Sequence, residues 1–238
     1  MGKRFTYWGS GSSAFHPSQL TGGQLYLRKD QATVSSWVSD IGTARDFIQG
    51  TAGQQPTITA NSLDFDGVND LMKVTEANAF GADTSGILFF TVYWGGVSNE
   101  LILTSGDEGG VLGFVSRINS SGKLNLITSP SPGVTDNLIS TQTAVIGLNY
   151  GYIKNNGSTI TMSLNGSSAT TATAFSGSNL GDWFADIPSR DNLVLGALVR
   201  NTTAYTTCEL NKIYYNNTAL TSGEIADMNT FMSDPTNF

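Results

Sequence analysis

Residues 159–166 read Thr159-Ile160-Thr161-Met162-Ser163-Leu164-Asn165-Gly166. Positions 160, 162 and 164 are apolar, and the positions between them carry hydroxyls. Side chains alternate sides along a strand, so this pattern buries one face and leaves the other wet. Asn-Gly then offers the two left-handed residues that a tight hairpin turn of the favoured hand needs. The stretch predicts a strand running into a hairpin, in an antiparallel sheet with one solvated face.

The same signal recurs on either side. Short apolar or alternating runs cover 24–27, 34–38, 62–65, 71–75, 87–94, 100–104, 111–117, 123–128, 144–153, 193–198 and 208–216. Turn formers divide them, among them Asp66-Gly67, Ser121-Gly122 and Asn156-Gly157. About a dozen strands at this spacing predict an all-β fold built as a two-sheet antiparallel sandwich. One short C-terminal helix is expected over 221–232. Thr221-Ser222-Gly223-Glu224 is a capping box, Leu220 and Ile225 form a hydrophobic staple, Ile225, Met228 and Phe231 share a face, and Pro235 stops the helix. Residues 1–16 read as a flexible arm and 17–238 as one domain.

Composition narrows the function. The chain has 238 residues, 12 Lys+Arg against 19 Asp+Glu, and a net charge of −7. With no basic cluster, that balance argues against nucleic acid as a partner. No apolar run approaches the roughly 20 residues of a membrane helix. Polarity is neutral instead, because Ser, Thr, Asn and Gly make up 100 of the residues. The one cysteine, Cys208, lies in an apolar strand and reads as an inert core thiol, and His16 is the one histidine. Met1–Trp8 has two basic residues with no apolar stretch after them, which reads against a secretory leader.

Three stretches together carry a family resemblance. They are Phe15-His16-Pro17-Ser18-Gln19-Leu20 with Gln24-Leu25-Tyr26-Leu27; then Trp37 with Leu63-Asp64-Phe65-Asp66-Gly67-Val68-Asn69-Asp70-Leu71; and Leu164-Asn165-Gly166 with Leu195-Gly196 and Leu220-Thr221-Ser222-Gly223-Glu224-Ile225. Their order resembles the concanavalin A-like, laminin-G-like jelly-roll domains, in the version found in phage structural and bacterial surface proteins. The resemblance runs over about residues 15–232 and implies a jelly-roll sandwich. That fold hosts lectins, hydrolases and structural modules alike.

The expectation that follows is a non-catalytic structural or surface protein of a virion: a phage head decoration, fibre or tail-associated module, displayed in many copies. Weak affinity for host surface glycans would be multiplied by that display. The arm, with Phe5, Tyr7, Trp8 and Phe15, would bind other virion proteins. The alternative is a carbohydrate-binding module of a bacterial surface or secreted protein. Catalysis is not expected. The chain has five Glu (Glu76, Glu100, Glu108, Glu209 and Glu224), and no two are close enough in sequence to form a glycosidase carboxylate pair.

Two candidate sites stand out. Trp183, with Asp182, Asp186 and Arg190, sits in the long 177–192 loop. An aromatic flanked by charged groups can stack on a sugar and hydrogen-bond it, although the favoured reading is that Trp183 and Phe184 plug the end of the sandwich. Asp64, Asp66, Asn69 and Asp70 crowd one turn and form an oxygen-donor set of the kind calcium takes, where local backbone capping is the competing reading. Asp107 and Glu108 are a weaker second set. No other cofactor is expected.

Overall fold

The alternation at 160–164 forms a strand, and Asn165 and Gly166 close the turn after it with φ of 52° and 73°. The computed structural model describes residues 15–42, 45–200 and 202–237. Its first strands are β1 (Gly23–Arg28), β2 (Ser36–Trp37), β3 (Phe47–Ile48), β4 (Thr57–Ile58), β5 (Leu63–Asp66), β6 (Met72–Thr75), β7 (Gly86–Trp94), β8 (Glu100–Gly106) and β9 (Gly113–Ile118). There follow β10 (Leu124–Ser131), β11 (Val134–Ile139), β12 (Gly147–Asn155), β13 (Ile160–Leu164), β14 (Thr170–Thr171), β15 (Thr173–Ser176), β16 (Asn192–Leu195), β17 (Ala197–Val199), β18 (Thr203–Tyr205) and β19 (Thr207–Asn216). The helix α1 spans Ser222–Ser233.

Two antiparallel sheets make the sandwich. The first runs β14-β13-β12-β7-β19-β5-β4, with β1 also paired to β19, and the second runs β15-β11-β10-β9-β8-β16-β6-β3-β2. Alternating residues meet between them: Leu63, Phe65, Leu88, Phe90, Ile153, Met162 and Tyr215 from the first sheet, and Trp37, Phe47, Phe114, Leu126, Leu138 and Leu193 from the second. Cys208 joins this core, and burial pushes its thiol well above the usual range, as an inert thiol requires.

Each sheet's outer face has its own cover. On the first, Tyr26, Phe89, Tyr152 and Tyr214 pack under Met228, Phe231 and Met232 of α1. Thr221 Oγ1 accepts from the Glu224 N–H while Glu224 Oε2 accepts from the Thr221 N–H, which is the expected capping box. At the helix C-terminus the ammonium of Lys212 reaches the carbonyls of Phe231 and Asp234, where a cation suits the helix dipole. On the second, a separate hairpin of β17 and β18 lies over the middle of the sheet, where Ala197 and Val199 cluster with Val194.

Some expectations shift. Strand β11 was not foreseen, and the 193–198 run is broken at Gly196, whose φ is 77°. Ser163, expected on a wet face, is buried, and its hydroxyl donates to the Ser167 carbonyl. Phe15 and His16, assigned to the arm, sit edge-on to Phe231 at 6.2 and 5.9 Å, and His16 caps the short turn Pro17–Gln19. Phe5, Tyr7 and Trp8 lie outside the described residues.

Because Phe231 links α1 to both Phe15 and Tyr26, Phe231→Ala is expected to cost about 3–5 kcal/mol in urea unfolding. Phe175→Ala, at a position 74% exposed on β15, should shift stability by no more than about 0.5 kcal/mol.

Candidate functional site

The 177–192 loop folds inward. Trp183 is buried; its indole N–H donates to the Tyr215 hydroxyl at 3.1 Å, and its ring meets Phe114 edge-on at 5.3 Å. Phe184 stacks on Phe114 at 4.3 Å, so the two aromatics plug the end of the sandwich. Arg190 is equally buried, donating to the carbonyls of Ile187, Ala79 and Phe184 and to Ser105 Oγ. Asp186 accepts the Trp183 N–H at 2.9 Å. These four residues therefore form no sugar platform. The stacking face expected of Trp183 is spent on neighbouring rings, because a large aromatic gains more buried area inside than at a loop tip.

Asp182 hydrogen-bonds the buried carboxylate of Asp136 on β11. Burial first, then that hydrogen bond, then the charges of Asp136 and Asp186 raise its pKa to about 6. Asp136 Oδ1 also accepts the Ser178 N–H at 2.6 Å, so the carboxyl pair ties the loop to the sheet.

The calcium set is dispersed into local structure. Asp66 Oδ1 accepts the N–H groups of Val68, Asn69 and Asp70, and those bonds, Val68's first, lower its pKa. Asp70 Oδ2 accepts the Asp66 N–H in return. Asp64 lies two residues before Asp66 on β5 and faces Glu209 of the neighbouring strand β19. Glu108 pairs with Lys73 at 2.7 Å, and Asp107 caps the Gly109 N–H. Among the described residues, no three acidic, His or Cys side chains are placed to hold a metal ion.

Two polar surfaces lie on the outer face of the second sheet, on either side of the β17–β18 hairpin. On one side is a cleft of about 670 Å³ lined by Asp46, Ile48, Gln49, Gln54, Leu71 and Lys73. Phe47 and Met72 point into the core, so their neighbours Ile48 and Lys73 point out, and the two are register partners. Gln49 fixes the floor, donating to the Leu71 carbonyl and accepting the Thr51 N–H. Among the described residues, one oxygen of Asp46, Oδ1, is buried and meets no hydrogen-bond donor.

On the other side, β9, β10 and β11 align Arg117, Asn125 and Asn137. Arg117 and Asn125 are register partners, and so are Asn125 and Ile139. Arg117 Nε donates to Asn125 Oδ1 at 2.8 Å. Asn125 Nδ2 donates in turn to Asn137 Oδ1 at 2.7 Å and to the Leu138 carbonyl at 2.8 Å. Sequence reading missed this row, yet it left a signal: Leu124-Asn125-Leu126 and Asn137-Leu138 set amides at outward positions between core leucines. Seeing it requires β11, which follows the turn-rich 129–133 segment Ser129-Pro130-Ser131-Pro132-Gly133.

No family model matches the chain, and no curated protein matches it by sequence. Solved structures do. A Trypanosoma rangeli sialidase is 16% identical with a TM-score of 0.56, over 88% of this chain and 33% of that one. A leech intramolecular trans-sialidase is 15% identical with a TM-score of 0.50, over 65% of this chain and 26% of that one. The CBM40 of a Ruminococcus gnavus IT-sialidase, bound to α2,3 sialyllactose, is 15% identical with a TM-score of 0.48, over 61% and 82%. The match spans about a third of the trypanosomal chain and a quarter of the leech chain. At these identities the likeness is one of fold, the β-sandwich.

The carboxyl pair sets a pH dependence. Asp182 titrates near pH 6 when folded and near 3.8 otherwise, so the folded state holds its proton more tightly. Its stabilising contribution is full below the lower value and is lost as pH rises through the upper one. Thermal melts from roughly pH 4 to 7 should show this decline, and Asp182→Asn should flatten it.

Proposed function

We propose that this chain is a non-catalytic carbohydrate-binding module that holds glycan on the outer face of its second sheet. The observation that carries the reading is the cleft beside β3 and β6. Exposed Ile48 and half-buried Leu71 give it an apolar wall, Gln49, Gln54 and Lys73 give it polar groups, and the buried Asp46 Oδ1 meets no donor among the described residues. A buried acceptor without a partner costs about 1–3 kcal/mol, which a sugar hydroxyl placed against it would recover. A few convergent polar groups over an apolar floor are what a small-ligand site needs.

The non-catalytic part of the proposal is supported by how the glutamates are used. Glu76 pairs with Arg45, Glu108 with Lys73, and Glu224 caps α1. Glu100 is buried and accepts from Ser98 Oγ, and Glu209 accepts from Ser62 Oγ. Each has a structural duty, whereas a glycosidase needs a carboxylate pair free to face the bond it cleaves.

Display on a phage particle, where many copies would multiply a weak affinity, rests on composition and sequence resemblance; a bacterial surface or secreted protein is the other setting for the same module. Co-purification with assembled particles supports the first. The binding reading itself is tested on an array of neutral glycans. Asp46→Ala and Gln54→Ala are each expected to weaken the best-bound glycan by about tenfold while the melting temperature holds. Wild-type protein that binds nothing on the array, or variants that bind as it does, would overturn the reading.

A further inference from the structure

We propose that Arg117 is the receptor for an oxyanion, the carboxylate or sulfate ester of an acidic polysaccharide, on the part of the second sheet's outer face formed by β9, β10 and β11. The inference names the ligand class for the glycan-binding reading, but it stands on different residues from the cleft.

The argument is one of donors and acceptors. The Leu138 carbonyl accepts from Asn125, so the amide nitrogen of Asn125 must face β11 and its oxygen must face Arg117. Asn137 then accepts from Asn125 through its own oxygen. Each amide oxygen of the row thereby already accepts one bond inside it. What remains are donors: the Nη1 and Nη2 groups of Arg117 and the Nδ2 group of Asn137, none of which meets an acceptor among the described residues. A row whose unbonded donors outnumber its remaining acceptor sites, and which carries a cation, favours a ligand rich in acceptors and poor in donors, and an oxyanion is the simplest such group.

Charge points the same way. Arg28 is paired with Asp40, Arg45 with Glu76, and Arg190 donates to three carbonyls and a hydroxyl. Arg117 has one bond, to a neutral amide, and no ion pair among the described residues. It is half-buried on a sheet face that alternation and register share with Val115, Ile127 and Ile139; burial pushes its pKa down, and a guanidinium keeps its charge in proteins. A desolvated guanidinium held by its Nε, with its fork unspent, is oriented for two-point recognition of a planar anion. The chain's net charge of −7 supplies no general attraction for polyanions, so such binding depends on a local receptor.

The test compares alginate, dextran sulfate and neutral dextran as probes for the full chain. Wild type is expected to bind at least one polyanion, more weakly as salt rises from about 50 to about 500 mM. Arg117→Gln should weaken that binding about tenfold and Arg117→Lys by less, with dextran unaffected by either. Alginate alone assigns a carboxylate, dextran sulfate alone a sulfate ester, and both an oxyanion of either kind. If Arg117→Gln does not fold, the Nε–Hε resonance of wild-type Arg117 decides: it should move when galacturonic acid is added and stay still with galactose. Polyanion binding indifferent to Arg117→Gln, a resonance that does not move, or no polyanion binding at all would overturn the proposal. Neutral-glycan binding through the cleft, read by the Asp46 and Gln54 variants, would survive that result, so the two readings fail separately.

Discussion

One buried cation holds an end of this sandwich together. Arg190 is 1% exposed, and among the described residues no carboxylate hydrogen-bonds it; it donates to three carbonyls and the Ser105 hydroxyl. Burial lowers its pKa to about 10, so it stays charged at neutral pH. An unsatisfied charge in that position would cost several kcal/mol, and satisfying it forces the loop at 76–83, the turn at 184–190 and strand β8 into one geometry. The strain nearby fits that constraint. Asn78, Phe80 and Ser189 have φ of 49°, 59° and 63°, values that side-chain-bearing residues seldom adopt. They persist because Arg190 holds the backbone on both sides: it donates to the Ala79 carbonyl, and its own carbonyl accepts the Asn78 N–H. The aromatic plug of Phe80, Trp183, Phe184 and Tyr215 then packs against a fixed frame.

Arg117 has the same chemistry in the opposite situation. Both guanidiniums are partly or fully removed from water, and burial lowers the pKa of each. In Arg190 the protein supplies the acceptors, and the residue is structural. In Arg117 it supplies one amide oxygen and orients it through a second amide, leaving the charged fork for something outside the chain. Inner position against outer position on the sandwich separates a clamp from a receptor, and residue type alone does not.

That distinction explains how much of the protein could be read from its sequence. The two-sheet architecture was legible, because alternation at 160–164, 87–94 and 208–216 reports directly which face is buried. So was α1, because Thr221 and Glu224 mark its start and Pro235 its end. The cleft and the Arg117 row were not. Each unites residues far apart in the chain, Asp46 with Lys73 and Arg117 with Asn137, through pairings that depend on short strands. Strand β3 is two residues long, and β11 follows a Pro-rich turn, so neither offers a periodic signal. The 177–192 loop misled for another reason. Charged residues around a tryptophan look like a binding site in one dimension, but in three dimensions Arg190 and Asp186 bond to the backbone that buries it.

The covers on the two sheets decide where a large ligand can lie. The outer face of the first sheet is spent: α1 brings Met228, Phe231 and Met232 onto Tyr26, Phe89, Tyr152 and Tyr214, and Phe15 and His16 close over Phe231. Removing that cover would expose a cluster of aromatics, so the face cannot double as a polar recognition surface without losing stability. Among the described residues, the second sheet is covered by the β17–β18 hairpin alone, anchored where Thr104 Oγ1 donates to the Ala197 carbonyl at 2.7 Å. It divides the face and does not fill it. An apolar-walled cleft with an orphan acceptor remains on one side, and a donor row with an unspent cation remains on the other. A polymer crossing the hairpin would meet both, with hydroxyls suited to the first and an acidic group suited to the second. Two weak contacts on one chain reinforce each other when their spacing matches the ligand, and the proposed polysaccharide binding needs that reinforcement if neither contact is a deep pocket.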